Sequence, residues 1–165
     1  MSKIIWITGI SGTGKTTLAK HYLRSLKKFF WIDGDEFRNL FNNDLGYTLK
    51  DRNRNAERLI NFVKFLNKQK ISLIISANLT STIYKKRIKK IFKNIFHIQI
   101  ESNFNILKKR DKKYIYVKKI NVVGKDIKIR KALNSCDFLV YNNTTKKKFL
   151  NQGDIILKKI KLKWT

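Results

Sequence analysis

The residues best suited to chemistry stand together near the start of the chain. Gly9-Ile10-Ser11-Gly12-Thr13-Gly14-Lys15-Thr16-Thr17 follows the apolar run Lys3 to Thr8 and spells G-x-x-x-x-G-K-T. Glycines at this spacing let successive backbone amides converge on phosphate oxygens. Lys15 then reaches the β- and γ-phosphates of a nucleoside triphosphate, and Thr16 offers a hydroxyl to Mg²⁺. The helix expected from Lys15 to Leu26 aims free N–H groups and a partial positive charge at the same anion. A strand before and a helix after separate this loop from an ordinary glycine-rich turn.

A second group lies about twenty residues on, at the end of the apolar run Phe29 to Asp33. Asp33 and Asp35 flank Gly34, where the acceptor of a phosphoryl group would sit. One carboxylate can support Mg²⁺ through water, and the other can orient or deprotonate an attacking hydroxyl. Arg38, Arg52 and Arg58 can hold an anionic substrate, and Tyr47 can stack on a base. The bland alternative is that Asp33 caps a following helix and the arginines form a solvated face.

These groups need a frame, and the apolar pattern supplies one. Strands are expected at Lys3 to Thr8, Phe29 to Asp33, Ile71 to Ser76, Ile95 to Ile100 and Asp137 to Tyr141. Between them lie helical patterns. Asp51 to Lys68 places Ala56, Leu59, Ile60, Val63 and Leu66 on one face, and Thr82 to Lys93 turns Tyr84, Ile88, Ile91 and Phe92 inward. A last amphipathic helix is expected over Asp154 to Leu162. The alternation predicts an α/β fold, a parallel sheet of about five strands with helices on both faces. Ligands then bind beyond the carboxyl ends of the strands.

Length and composition narrow the class. The 165 residues suit one domain, and 42 % apolar content suffices for a core. No run approaches the ~20 apolar residues that span a bilayer, and no signal-peptide pattern opens the chain, so a cytoplasmic protein is expected. Cys136, the only cysteine, reads as a buried, inert thiol at a strand entrance. His21 and His97 lack the neighbours of a zinc site. The net charge of +27 is spread along the chain, with lysine, asparagine and isoleucine abundant and proline absent. That is a bias of composition, and the segment "YKKRIKKIFK" reads as a core helix with a solvated basic face. Nucleic-acid binding is therefore not expected as the main function, although the charge draws anionic substrates in.

The second group also resembles the adenylyl-sulfate kinase (APS kinase) family. That family's D-G-D-N-x-R, N-x-D-L-G-F-S and D-R-x-E-N appear here, without a gap, as Asp33-Gly34-Asp35-Glu36-Phe37-Arg38, Asn42-Asn43-Asp44-Leu45-Gly46-Tyr47-Thr48 and Asp51-Arg52-Asn53-Arg54-Asn55. Its R-D-x-K-x-L-Y appears as Arg110-Asp111-Lys112-Lys113-Tyr114-Ile115-Tyr116. The resemblance runs to about residue 130. It implies a P-loop, nucleoside-kinase-like fold with a short lid at about 110–130. It implies transfer of the γ-phosphoryl group of MgATP to the ribose 3′-hydroxyl of a nucleotide. Asp35 would stand beside that hydroxyl, leaving Asp33 and Thr16 to the metal. Arg38, Arg52 and Asn55 would bind the acceptor nucleotide, with Tyr47 on its base. Lys113 would act near the transferring phosphate. The expected partners are ATP and a nucleotide acceptor, with a homodimer as an option and no membrane.

Four departures bear on the acceptor. The lid is about five residues shorter, and the family's F-T-G becomes Val122-Val123-Gly124. In the family that Phe covers the second face of the adenine, a contact worth ~1–3 kcal/mol. The family's I-S-P region becomes "SANLTS", Ser76 to Ser81, which brings Asn78 near the base. Arg54 replaces a Glu, and the C-terminal region is short. Adenylyl sulfate is the first expectation for the acceptor. Cytidine diphosphoramidate, the substrate of a relative in capsule synthesis, is the alternative, since a smaller base needs less aromatic cover.

Overall fold

Five short runs rich in β-branched and aromatic residues build the sheet: β1 (Ile4–Thr8), β2 (Phe29–Asp33), β3 (Ser72–Ser76), β4 (Ile95–Glu101) and β5 (Phe138–Tyr141). A computed structural model describes residues 2–42, 44–79, 82–111, 114–127 and 136–164. All paired strands are parallel, in the order β2-β3-β1-β4-β5. β1 lies at the centre and is buried along its whole length, which is why it reads as a continuous apolar run. Its side chains alternate between two cores. Ile4 and Trp6 pack beneath α3 (Leu49–Lys68) and α4 (Thr82–Ile91), whereas Ile5 and Ile7 meet α1 (Lys15–Leu23) and α7 (Lys146–Leu162). Helices thus cover both faces, as expected.

The chain turns one way from β1 to β2 and later crosses to β4 on the other side of β1. The topology switches at β1, and its carboxyl end leads into the glycine-rich loop. α3 carries its apolar face on Ala56, Leu59, Ile60, Val63 and Leu66, all buried as the spacing predicts. It begins two residues before the expected Asp51, because the Thr48 hydroxyl accepts from the Asp51 N–H at 3.2 Å and caps it.

Other boundaries moved further. α1 ends at Leu23 and α4 at Ile91, short of the expected Leu26 and Lys93. Two helices were not anticipated, α5 (Phe104–Arg110) and α6 (Ile115–Lys118), and α2 (Gly34–Asn39) was raised only as the helix that Asp33 would cap. α7 starts at Lys146, eight residues before the expected Asp154, with Thr145 as its cap. Its interior Gly153 looks like a helix breaker, but a Cβ there would come within 2.5 Å of Leu18 Cδ1. The glycine lets α1 lie close against α7, and the Tyr22 hydroxyl donates to the Gly153 carbonyl at 2.7 Å.

Two side chains differ from their sequence reading. Lys85 on α4 is 2 % exposed, not solvated, and its Nζ donates to Gln99 Oε1 at 2.8 Å. Burial pushes its ammonium below the ordinary lysine range. Cys136 is half-buried, and burial pushes its thiol up. Among the described residues, no helix is long and apolar enough to cross a membrane.

Candidate active site

The glycine-rich loop joins the end of β1 to the start of α1. Gly9, Gly12 and Gly14 all have positive φ. At Gly14, the residue before α1, φ is 103° and an added Cβ would sit 2.8 Å from Asn142 Nδ2, so conformation and space both demand glycine. No side chain caps α1, so its first N–H groups face the loop cavity as an anion site. Thr13 holds the loop from within, its hydroxyl donating to the Ile10 carbonyl at 2.9 Å. Lys15 Nζ donates to the same carbonyl at 3.2 Å. Burial lowers the pKa of Lys15 against the opposing pull of Asp35 and Asp33.

Asp33 ends β2 and caps α2, accepting from the Asp35 N–H at 3.0 Å through Oδ1. Its Oδ2 accepts from the hydroxyls of Thr16 and Ser76, each at 2.9 Å. The helix cap raised in the sequence is therefore present on one oxygen, while the other meets the Thr16 hydroxyl beside the glycine-rich loop. Ser76 in turn accepts from the Trp31 indole N–H at 3.0 Å.

A cavity of about 320 Å³ opens between this group and the segment from Ile115 to Val123. Ser11, Lys15, Thr16, Asp33 and Asp35 line its end beside the glycine-rich loop. Arg38, Tyr47, Arg52, Asn55, Asn78 and Val122 line the rest. Gly9, Ile10, Gly12, Thr13, Gly14 and Thr17 shape the loop and helix start rather than the cavity wall. Lys113 lies outside the described residues. Arg58, also singled out in the sequence, points elsewhere and pairs with Asp44 at 2.6 Å.

The end away from the glycine-rich loop is strongly cationic. Arg38 is buried and donates to the carbonyls of Gly46 at 2.8 Å and Leu45 at 3.3 Å. Arg52 donates to the carbonyls of Tyr47 at 3.0 Å and Asn121 at 2.9 Å. Both guanidinium groups and Lys119 Nζ lie over the Tyr47 ring, at 4.8, 5.3 and 5.9 Å from its centroid. Their anchors are carbonyls and a ring, which fix position without neutralising charge. Burial, and then the neighbouring Arg38, push the pKa of Arg52 down. Such a cluster suits an anionic group of the substrate. Asn55 Oδ1 is buried with no hydrogen-bond donor among the described residues, and it stands ready to accept one from a ligand.

The lid side is built differently from its sequence reading. Val122 does line the cavity, but it is 4 % exposed and packs with Leu107 and Tyr116 in a small core of the lid. Three contributors escaped the sequence. Asn142, just after β5, donates from Nδ2 to the Thr13 carbonyl at 2.9 Å. Arg110 grips the Asn142 and Thr144 carbonyls at 3.0 and 3.1 Å. The Tyr116 hydroxyl donates to the Ser11 carbonyl at 2.6 Å. Arg110 and Tyr116 lie within the quoted R-D-x-K-x-L-Y stretch, so a signal existed for them. For Asn142 it was only a polar residue after a strand.

Residues 1–129 match the adenylylsulphate kinase family. The chain belongs to that family. It is a kinase, a phosphotransferase that binds a nucleotide and has a hydroxyl as acceptor. It is 34 % identical to a cytidine diphosphoramidate kinase of Campylobacter jejuni, over 96 % of this chain and 96 % of that one. It is 32 % identical to an adenylyl-sulfate kinase of Bacillus pumilus and 29 % to one of Buchnera aphidicola, over 73 % and 70 % of this chain. It spans 64 % and 59 % of the length of those two family members. Among solved structures, an APS kinase of Mycobacterium tuberculosis in complex with AMPPNP and APS superposes with a TM-score of 0.83. That match covers 95 % of this chain and 96 % of the other at 22 % identity, and it supports the common fold.

Proposed function

We propose that this family member phosphorylates the ribose 3′-hydroxyl of a cytidine nucleotide bearing a phosphoramidate, with ATP as donor. One observation carries the choice of acceptor. The similarity to the cytidine diphosphoramidate kinase runs through 96 % of both chains and so reaches into the C-terminal region, whereas the quoted adenylyl-sulfate kinases are matched over 73 % of this chain or less. The aliphatic Val122 wall agrees with a small base. This reverses the preference for adenylyl sulfate drawn from the motifs alone.

In this reading Lys15 and the amides of Gly9 to Thr17 hold the triphosphate. Thr16 and Asp33 present a hydroxyl and a carboxylate oxygen 2.9 Å apart, a hard-oxygen pair suited to Mg²⁺ that also keeps waters and phosphate oxygens. When bound, Mg²⁺ neutralises charge on the β- and γ-phosphate oxygens. Asp35 faces the acceptor hydroxyl and takes or orients its proton. Arg38 and Arg52 hold the acceptor's anionic groups, Asn55 accepts from a sugar hydroxyl or amino group, and Tyr47 and Asn78 close the base end. Lys113 approaches the transferring phosphate. A cytoplasmic site of action, where ATP is abundant, belongs to the same reading.

The test is direct. The purified protein is incubated with MgATP and, separately, cytidine diphosphoramidate or adenylyl sulfate, and the 3′-phosphorylated product is measured. We expect the cytidine compound to be turned over faster. Faster phosphorylation of adenylyl sulfate would overturn the choice in favour of the second reading, which the motif spacing from Asp33 to Asn55 supports.

A further inference from the structure

The lid segment from Tyr114 to Ile127 touches both halves of the site. On the donor side, the Tyr116 hydroxyl donates to the Ser11 carbonyl at 2.6 Å, and Ile10 packs against the cluster of Leu107, Tyr116 and Val122. On the acceptor side, the Asn121 carbonyl accepts from Arg52 Nη2 at 2.9 Å. The segment itself is firmly set. The Tyr116 N–H donates to Asp111 Oδ2 at 2.6 Å, its ring meets Phe104 edge-on at 5.2 Å, and the Val122 N–H donates to Asp126 at 2.9 Å. Tyr116 is 5 % exposed. Burial, helped by Asp111, pushes its phenol up to about 12, so it remains a donor throughout the neutral range.

The Ser11 contact acts on a peptide plane. In a trans peptide the carbonyl and the following N–H point in opposite directions. Holding the Ser11 carbonyl against the lid therefore turns the Gly12 N–H away from it. Gly12 has a positive φ and carries no side chain, so no side-chain contact of its own fixes that plane; a Cβ there would touch Leu107 Cδ2 at 3.5 Å. An external hydrogen bond is what selects the orientation.

We propose that Tyr116 is a positioning residue that sets the Ser11–Gly12 peptide of the phosphate loop and, through the lid segment ending at Asn121 and Arg52, couples donor binding to acceptor binding. The coupling rests on the two-nucleotide reading above, but not on which base the acceptor carries. A ligand that fixes Arg52 fixes Asn121 and the lid, and the lid holds the loop in the donor-binding form. By linkage, donor and acceptor then tighten one another by the same factor.

Tyr116→Phe removes only the hydroxyl and keeps the ring. Calorimetry on the full chain first measures the affinity of AMPPNP with Mg²⁺. The loss of one buried neutral hydrogen bond should weaken it about three- to ten-fold. The affinity of cytidine diphosphoramidate, or of adenylyl sulfate if that is the nucleotide turned over, is then measured with and without AMPPNP. We expect AMPPNP to tighten the acceptor several-fold in the wild type and by less than about two-fold in Tyr116→Phe. In turnover, KM for ATP should rise while kcat changes little. Val117→Ala, on the exposed side of α6, should keep wild-type values. Unchanged AMPPNP affinity in Tyr116→Phe would overturn the proposal, as would equal coupling in both proteins. Should the variant fail to fold, hydrogen exchange in the wild type decides: acceptor alone must slow the amides of residues 9–14, and no slowing would overturn the coupling. If neither acceptor binds the wild type, the acceptor reading fails, and the AMPPNP measurement still decides the role of Tyr116.

Discussion

The donor loop and the acceptor wall face one cavity but are fixed by different means. The donor loop is shaped by short, local hydrogen bonds and by glycines whose conformations other residues rarely adopt, and Tyr116 and Asn142 brace its carbonyls from outside. The acceptor wall is held from a distance. Arg38 and Arg52 reach backbone carbonyls across loops, and the lid places Tyr114 and Asn121 in the left-handed region although neither is glycine. The first arrangement presents one rigid surface to a phosphate chain that is the same in every nucleoside triphosphate. The second gathers positive charge on side chains anchored to carbonyls and a ring, around the acceptor proposed above, whose base and anionic group differ between the relatives named. Where the ligand is constant the backbone binds it, and where the ligand varies the side chains do.

The largest test of this contrast lies at the junction of the two regions. Lys15→Ala should reduce turnover by about 10²-fold or more, since it removes charge that stabilises the transferring phosphate. Asp35→Ala should be as damaging to turnover yet leave ATP binding nearly intact, checked by steady-state assay beside AMPPNP calorimetry. Full activity in the Asp35 variant would dissolve its assigned role.

A smaller effect separates loop from lid. Gly14→Ala should cost about 1–3 kcal/mol in urea denaturation, from left-handed strain and the approach to Asn142. Asn121→Gly, which relieves a left-handed φ of 58° while loosening the unfolded chain, should stay within about 0.5 kcal/mol. Equal costs would erase the distinction between a donor loop that demands glycine and an acceptor side that tolerates another residue at a left-handed position.

The smallest effect lies under the donor loop. Lys85 donates to Gln99 Oε1, which also accepts from Thr8, the last residue before Gly9. Because the folded pKa of Lys85 lies below its unfolded value, the unfolded chain binds the extra proton between the two, and stability rises with pH across that window. Below the folded pKa the cost of burying the charge is fully present, and above about 10.4 it is gone. Lys85→Met lacks this term. Its stability relative to the wild type should be most favourable near neutral pH and should decline as pH approaches 10, followed by chemical denaturation at several pH values.

These regions were also unequally legible in the sequence. The five strands and the inward face of α3 follow from periodicity, and the donor loop from spacing, all properties of one short segment. α2 was visible only as an alternative, because its start depends on Asp33 capping it while also meeting Thr16, two demands on one residue. The early start of α7 was hidden by three lysines and by Gly153, whose place makes sense only with Leu18 and Tyr22 against it. Lys85 looked solvated because nothing in a basic helix says which lysine meets Gln99. Val122 sat at the right point of the motif, but its packing depends on Leu107 and Tyr116, which the lid brings together in space.

The Asn142 contact carries a consequence for the unit that folds. The family match ends at residue 129, yet the brace on the Thr13 carbonyl comes from Asn142, and the cover over Leu18 and Tyr22 comes from α7. A chain cut after the matched segment would keep every motif of the phosphate loop and lose the strand edge that steadies it and about a third of one core. The piece that can be recognised by descent is thus smaller than the piece that can stand alone, and the last thirty or so residues act as a keystone for a site to which they contribute no chemistry.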